Sequence, residues 1–381
     1  MRILHLTADW KWTGPADPML NAVVGLRERG HAVDVAFPSP PAGQTGALLE
    51  RARERGIAPI HALRVGRGYV PLRDRAEVRR LRELLRQGEY DVLHTHHTRD
   101  QLLAFWASRG LPVRRVASWH SGEPIPDRPW NRLRFGPRAL SGLVVLSPGL
   151  ATAAVRAFGW QPGHVGVLPG CVDAERYRPR EPSRVLLDEL GIRSGERVIG
   201  VVARLQPHRR FDLLLEAFAR ALRDTLGLRL LVVGRGTRVA QVLDEPARRL
   251  GLEASLIRAG YRGEDYAEVL SLLDALVFLV PGSDGSCRAV LEAMSMRIPV
   301  ISSRRGVLPE LVRDGQTGRV VDEDPEQLAA AMREVARDPV CWSAWGQAAR
   351  SAVLESYTIE RGAERLEKLY SSLGSSRSAA A

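Results

Sequence analysis

Short apolar runs alternate with longer amphipathic stretches along nearly the whole chain, and this alternation limits the possible folds more than any other feature. In the first half the strand-like runs are "RILHLTA", "AVDVAFP", "VLHTHH", "VRRVASWH" and "GLVVLSP", with helical stretches such as "AEVRRLRELLRQG" between them. In the second half "RVIGVVAR", "LRLLVVGRG", "LIRAG", "ALVFLVPG", "PVISS" and "GRVVD" alternate with "FDLLLEAFARALRD", "AQVLDEPARRLG", "YAEVLSLLD" and "RAVLEAMSM". Apolar runs this short, separated by helices, predict parallel strands buried on both faces. The pattern restarts near Val198, after the Pro- and Arg-rich "YRPREPSR". Two doubly wound α/β domains follow: residues 1–180, and residues 181–355 after that linker. Residues 356–370 are expected to form a C-terminal helix that packs back on the first domain. The tail 371–381, "SSLGSSRSAAA", is expected to be disordered. Two such sheets facing each other across a cleft would present the carboxyl ends of their strands to a common ligand.

Charge is unevenly placed. Residues 1–180 hold 27 basic and 16 acidic side chains and residues 181–381 hold 28 of each, so the whole excess of +11 lies in the first half. That half should favour anionic partners such as acidic lipid or a phosphorylated substrate. An ordinary solvated basic surface is the competing reading. Cys171, Cys287 and Cys341 match neither a disulfide framework nor a zinc site, which suits a reducing cytoplasm. "MRILHLTADW" has no long apolar export region, and no run approaches the roughly 20 residues of a membrane span.

The most informative stretch is "LVPGSDGSCRAVLEAM", Leu279 to Met294. It reads as a buried strand, a break at Pro281-Gly282, and then a helix. Asp284 sits in the break and Glu292 interrupts the apolar helix face, roughly 10 Å apart at helical rise. Gly282 and Gly285 allow close backbone approach, and Ser286 and Cys287 complete the turn. A helix N-terminus in such a turn binds phosphate readily. The simplest ligand of that shape is a sugar nucleotide, with its sugar near Asp284, its diphosphate at the helix start and its ribose near Glu292. The alternative is that Asp284 or Ser286 only caps the helix and Glu292 is solvated. In "VVARLQPHRRFDLLLEAF" a strand is expected to end at Arg204 and a helix to begin near Asp212, with Arg209 and Arg210 between. Guanidinium groups there suit a diphosphate, or are simply exposed arginines. Gly234-Arg235-Gly236 after another strand is a weak phosphate signal by itself.

Together these segments resemble the family-4 glycosyltransferases of the GT-B fold, an architecture of two Rossmann-like domains. The family's two acids with seven residues between them match Asp284 and Glu292. Its Arg-x4-Lys pair matches Arg204 and Arg209, its G-x-G matches Gly234 and Gly236, and its G-V-P-E segment appears as "GVLPELVRDGQTG". "LRERGHAVDV", "YDVLHTHH" and "VLPGCVDAERYRP" fall in family order. Asp284 stands where Glu is usual, Arg209 where Lys is, and Arg210 where Gly is. The usual N-terminal Gly-Gly is reduced to Gly14.

The resemblance implies a transferase that moves a sugar from a nucleotide-sugar donor to a saccharide or lipid-linked acceptor with retention at the anomeric carbon, in cell-envelope glycan or lipopolysaccharide synthesis. It implies that Glu292 accepts the ribose hydroxyls, that Asp284 faces the donor sugar, that Arg204 and Arg209 hold the diphosphate, and that His120 in "ASWHSG" reaches the donor sugar. Gly14 is the counterpart of the loop that approaches donor and acceptor. No cofactor and no metal are expected. His94, His96 and His97 cluster in "HTHHTRD", but His97 leaves the face that the other two share. The acceptor is expected on the first domain. There "PDRPWNRLRFGPR" interleaves Trp130 and Phe135 with Arg132 and Arg134, a composition suited to the anionic inner face of a plasma membrane. An amphipathic helix packed on its own sheet is the bland reading of that stretch. Trp10 and Trp12 could stack on sugar rings or fill core. Rival functions are a non-catalytic sugar-nucleotide-binding scaffold subunit and a GT-B sugar-nucleotide epimerase. A nucleic-acid partner is not expected, for want of a recognition motif.

Overall fold

The computed structural model describes residues 1–44, 46–61, 71–282 and 285–374. Two six-stranded sheets are present, every strand parallel to its neighbours. The first contains β1 (Arg2–Leu6), β2 (Ala32–Ala36), β3 (Val92–Thr95), β4 (Arg114–Ser118), β5 (Gly142–Val145) and β6 (Val165–Val167), in the order β2-β1-β3-β4-β5-β6. The second contains β7 (Arg197–Val202), β8 (Leu228–Val233), β9 (Leu256–Gly260), β10 (Ala275–Phe278), β11 (Val300–Ser303) and β12 (Gly318–Val321), in the order β12-β11-β10-β7-β8-β9. Both orders reverse direction once, between β1 and β3 in the first sheet and between β7 and β10 in the second. Ligands of such sheets bind beyond the strand ends at these reversal points.

Contacts divide the chain into two compact units. The first comprises Met1–Cys171, Gly282–Ser286 and Ile359–Ala381; the second comprises Val172–Pro281 and Cys287–Thr358. In the first unit Ile3, Val35, Val92, Val116 and Val144 pack one sheet face against Leu20 and Val23 of the helix Ala16–Glu28 and against Leu366 and Tyr370 of the helix Ile359–Ser372. The two helices meet at Gly25, where an added Cβ would lie 2.9 Å from both the Ile359 carbonyl oxygen and the Ala363 Cβ. Leu4, Leu6 and Leu93 fill the other face with Leu81, Leu85 and Leu103. In the second unit Ile199, Val201, Leu230, Val232, Val277 and Ile301 pack against Leu214, Phe218, Leu328, Met332 and Trp342. These apolar strands are buried on both faces, as helical crossovers require.

Some boundaries differ from those read in the sequence. The first unit's leading segment ends at Cys171 rather than 180, and the C-terminal helix runs on to Ser372. β6 was not anticipated; its three residues, "VGV", include Gly166, where a Cβ would press on Leu369 of the C-terminal helix. Residues 375–381 of the expected disordered tail lie outside the described residues.

Candidate active site

In the second unit the strand ends of β7, β8 and β10 gather the residues singled out by their spacing. β7 stops at Val202, two residues before the expected end at Arg204, and a short turn Pro207–Arg209 leads to the helix Phe211–Arg223. Arg204 is exposed. Arg209 is half-buried, and its Nη1 donates to the Val280 carbonyl at the end of β10, 2.7 Å away. Its Nε is buried without a partner. Burial first, and then the adjacent Arg204 charge, lower the Arg209 pKa. Among the described residues neither guanidinium has a carboxylate partner. Arg210 is different. It bonds to Glu323 and Asp212, so its charge is spent inside the protein, and its backbone is left-handed at φ 58°. A glycine would take that conformation without strain, which accounts for the residue type usual there in the resembled family.

Gly234 and Gly236 make contacts that no side chain would allow. A Cβ on Gly234 would run into the Ala203 carbonyl oxygen, and one on Gly236 into that of Leu205. The G-x-G turn therefore lies directly against the loop that carries Arg204.

Glu292 is neither exposed nor solvated. It lies on the helix Arg288–Ser295 with only 3% of its surface accessible, which excludes the reading of it as a solvated helix residue. Tyr266 Oη donates to Oε2 at 3.0 Å, and the Arg288 Nε lies 3.2 Å from Oε1. Tyr177 lies within reach of the same carboxylate's charge. Both phenol pKa values are raised, by burial first and then by the Glu292 charge. The rings of Tyr177 and Tyr266 meet edge to face at 6.1 Å. No local pattern marked these tyrosines; they lie 115 and 26 positions from Glu292 and only the fold unites them. The helix N-cap is Cys287, which is buried, left-handed at φ 51° and makes no side-chain capping bond. Ser286 is therefore not the cap. Asp284, with Ser283, lies outside the described residues.

The first unit holds the remaining candidates. His120 follows β4, and its carbonyl oxygen accepts a 2.7 Å bond from the Gly285 N–H. A Cβ on Gly285 would strike the Gly122 backbone, so the residue is confined to glycine by packing. Ser286 and His120 line a narrow cavity with Asn21, Pro169, Cys171 and Gly362. Gly14 lies in the turn before the helix Ala16–Glu28, and Gly282 begins the segment of the first unit that follows β10. Trp12 packs on the core and lies under Arg51 and Arg55.

The expected acceptor face is only partly a surface. In the helix Pro129–Phe135, Trp130 is 56% and Leu133 62% exposed, and Arg134 lies 4.5 Å over the Trp130 ring. Arg132 is exposed and paired with Asp127. Phe135 is buried against Trp119 and is core rather than surface, because a helix of about two turns must turn some apolar residue inward. Leu133 takes its place on the exposed side.

His5, His94 and His96 are buried and cluster with the half-buried His120 at the β1/β3 reversal, and His5 was missed because it lies 89 residues before His94 within an apolar strand. His5, His94 and His96 place nitrogens within 4.8 Å of one another. Yet His94 uses both ring nitrogens, Nδ1 with Tyr370 Oη at 2.6 Å and Nε2 with Ser118 Oγ at 2.8 Å. Three donors therefore do not converge on one point. Asp100 accepts backbone N–H bonds from Ala8, His96 and His97. Burial nonetheless raises its pKa to about 7.

Paired doubly wound sheets with these strand-end motifs define a glycosyltransferase of the GT-B fold, and comparison with known proteins agrees. Residues 19–176 match the model of Glycosyltransferase Family 4, and residues 196–338 match that of Glycosyl transferases group 1. The chain belongs to this glycosyltransferase family. It is 30% identical over 342 residues to D-inositol 3-phosphate glycosyltransferase of Geodermatophilus obscurus, covering 81% of this chain and 74% of that one. It is 30% identical over 222 residues to a GDP-mannose-dependent alpha-(1-6)-phosphatidylinositol monomannoside mannosyltransferase of Mycolicibacterium smegmatis, covering 56% of this chain and 57% of that one. Among solved structures, a glycosyltransferase from Rickettsia africae superposes with a TM-score of 0.83 at 15% identity, covering 98% of each chain. Anabaena HepE in complex with UDP superposes with a TM-score of 0.78 at 19% identity, covering 98% of this chain and 100% of that one.

Proposed function

We propose that the protein transfers a sugar from a nucleotide-sugar donor to a phosphorylated, saccharide or lipid-linked acceptor, with retention of anomeric configuration. The observation that carries this reading is the pair Arg204 and Arg209. Two cations stand at the reversal point of the second sheet, without a carboxylate partner among the described residues, and one has a buried N–H left open. An anionic diphosphate supplies what they lack. In the proposed step the bond from the anomeric carbon to the diphosphate oxygen breaks and the bond to the acceptor oxygen forms on the same face. The acceptor proton passes to the departing phosphate. Arg204 and Arg209 stabilise the developing charge, so no metal is invoked. Glu292, oriented by Tyr266, takes the ribose, and His120 and Asp284 meet the donor sugar.

Two relatives, a D-inositol 3-phosphate glycosyltransferase and a phosphatidylinositol monomannoside mannosyltransferase, support a phosphorylated or lipid-linked acceptor. Complexes of HepE with UDP and UDP-glucose support a nucleotide-sugar donor. A role in cell-envelope glycan synthesis, at the inner face of the plasma membrane, fits the Trp130 and Leu133 surface flanked by arginines. No helix among the described residues is long and apolar enough to cross a membrane.

Calorimetry with UDP-, GDP- and ADP-linked sugars tests the donor site, with Arg209→Met as the control. One nucleotide should bind the native protein and bind the variant at least tenfold more weakly. No binding of any donor at millimolar concentration would refute the proposal. Donor binding without product on any acceptor extract would favour the scaffold reading.

A further inference from the structure

The first unit contains a row of hydrogen-bonded imidazoles. The His120 Nε2 lies 3.1 Å from the His96 Nδ1, and the His96 Nε2 lies 2.9 Å from the His5 Nδ1. The rings are nearly coplanar along this row, with interplanar angles of 27° and 20°. Their centroid separations of 5.4 and 5.2 Å are those of rings joined edge to edge through nitrogen. The two terminal nitrogens, His120 Nδ1 and His5 Nε2, are buried and have no partner among the described residues. His94 does not join the row. Its ring, held at both nitrogens by Tyr370 and Ser118, lies 4.7 Å from that of His96 and 4.9 Å from that of His5 and walls the row in.

A neutral imidazole has one N–H and one lone pair, so three in a row can be polarised in only two ways. All N–H bonds point towards His120, or all point towards His5. In the second case an N–H at His5 Nε2 is sealed in the interior with nothing to accept it. In the first case a lone pair is left there and the open N–H falls on His120 Nδ1, which is likewise buried and without a partner among the described residues. Buried donors without acceptors are the rarer and costlier defect. The first polarity is the favoured one because only at the His120 end does a cavity leave room for an accepting oxygen. It leaves the open N–H on His120 Nδ1, at the end of the row next to the cavity that His120 shares with Ser286.

We propose that His96 and His5 are positioning residues that lock His120 in the Nδ1–H tautomer, so that His120 presents a fixed hydrogen-bond donor to a ligand oxygen. Burial lowers the pKa of His5 and of His120 to about 3, and those of His94 and His96 well below the ordinary value, so the row stays neutral at working pH. The assignment of that oxygen to the donor sugar rests on the proposed function. The tautomer does not.

The test is long-range proton–nitrogen NMR of the full chain with nitrogen-labelled histidine, for the native protein, His96→Leu and His96→Asn. The native His120 should be the Nδ1–H tautomer. His96→Leu, which removes the donor, should release His120 into a mixture of tautomers. His96→Asn places an amide N–H where the imidazole Nδ1 was, and should restore the native form. An Nε2–H tautomer in the native protein would overturn the proposal, as would an unchanged His120 in a folded His96→Leu. Stoichiometric zinc binding that shifts the His5 and His96 signals would overturn it in favour of a metal site. With a donor identified, His96→Leu should lower kcat by roughly tenfold with KM for the donor changed less than about twofold, and His96→Asn should recover most of it. If the native protein shows no transfer, the function reading fails while the tautomer result still decides this one.

Discussion

Three buried histidines and the half-buried His120, all neutral, make the first unit acid-sensitive, and the size of the effect can be worked out. Burial holds His5, His94, His96 and His120 far below an unfolded pKa of about 6.5. The unfolded chain therefore takes up their protons first. Stability is complete above about pH 6.5 and is lost as pH falls towards the folded values. Between pH 7.5 and pH 5.0 each imidazole gives the unfolded state about 2 kcal/mol, and the four together about 8 kcal/mol. Asp100 works the other way. With a folded pKa raised to about 7 it binds its proton before the unfolded chain does, and returns about 2 kcal/mol over the same interval. The net loss of about 6 kcal/mol compares with total stabilities of about 5–15 kcal/mol, so the first unit should be open or nearly so at pH 5. Hydrogen exchange read by mass spectrometry on peptides spanning β1, β3 and β4, corrected for intrinsic rates, measures this. Peptides from β7 and β8 are the internal control, since the second unit's one histidine is the exposed His208. His5→Leu should reduce the loss by about 2 kcal/mol. Equal protection of β1 and β3 at the two pH values would refute the reasoning.

Other expectations are independent of this one. Tyr266→Phe removes a bond to a buried carboxylate and should cost about 1–3 kcal/mol, read as a lower urea midpoint of the second unit, while Glu292→Ala abolishes donor binding in calorimetry. Arg297 is exposed and left-handed at φ 63° just past a helix end, so Arg297→Gly should raise stability by about 1 kcal/mol in thermal unfolding. Phe135→Ala should cost about 3–5 kcal/mol by denaturant titration. Trp130→Ala should leave stability unchanged and lower co-sedimentation with vesicles containing anionic lipid.

The strands were legible because helical crossovers bury both sheet faces, which writes each strand as an apolar run. β6 escaped because three residues with a central glycine carry too little of that signal. The strand-end motifs were legible because glycines and charged residues interrupt apolar runs at set distances. What lay beyond reading was partnership across the fold. Tyr177 and Tyr266 look like ordinary aromatic residues until Glu292 is placed between them. His5 looks like an interruption in an apolar strand until β3 pairs with β1 and sets His94 opposite. Arg209 and Arg210 are chemically alike, and only their backbones decide that Arg210 turns to Glu323 while Arg209 turns to β10. Phe135 was read as surface because a seven-residue helix is too short to reveal which side faces inward.

The helix Ile359–Ser372 lies against a helix that begins fifteen residues from the start of the chain, and between them pass more than three hundred residues. During synthesis the first sheet must therefore wait, its Leu20 and Val23 flank uncovered, until the helix Ile359–Ser372 has left the ribosome. The second sheet, whose strands are all made before that, can close earlier. A chain that stopped before Ile359 would lack the wall that covers what was translated first.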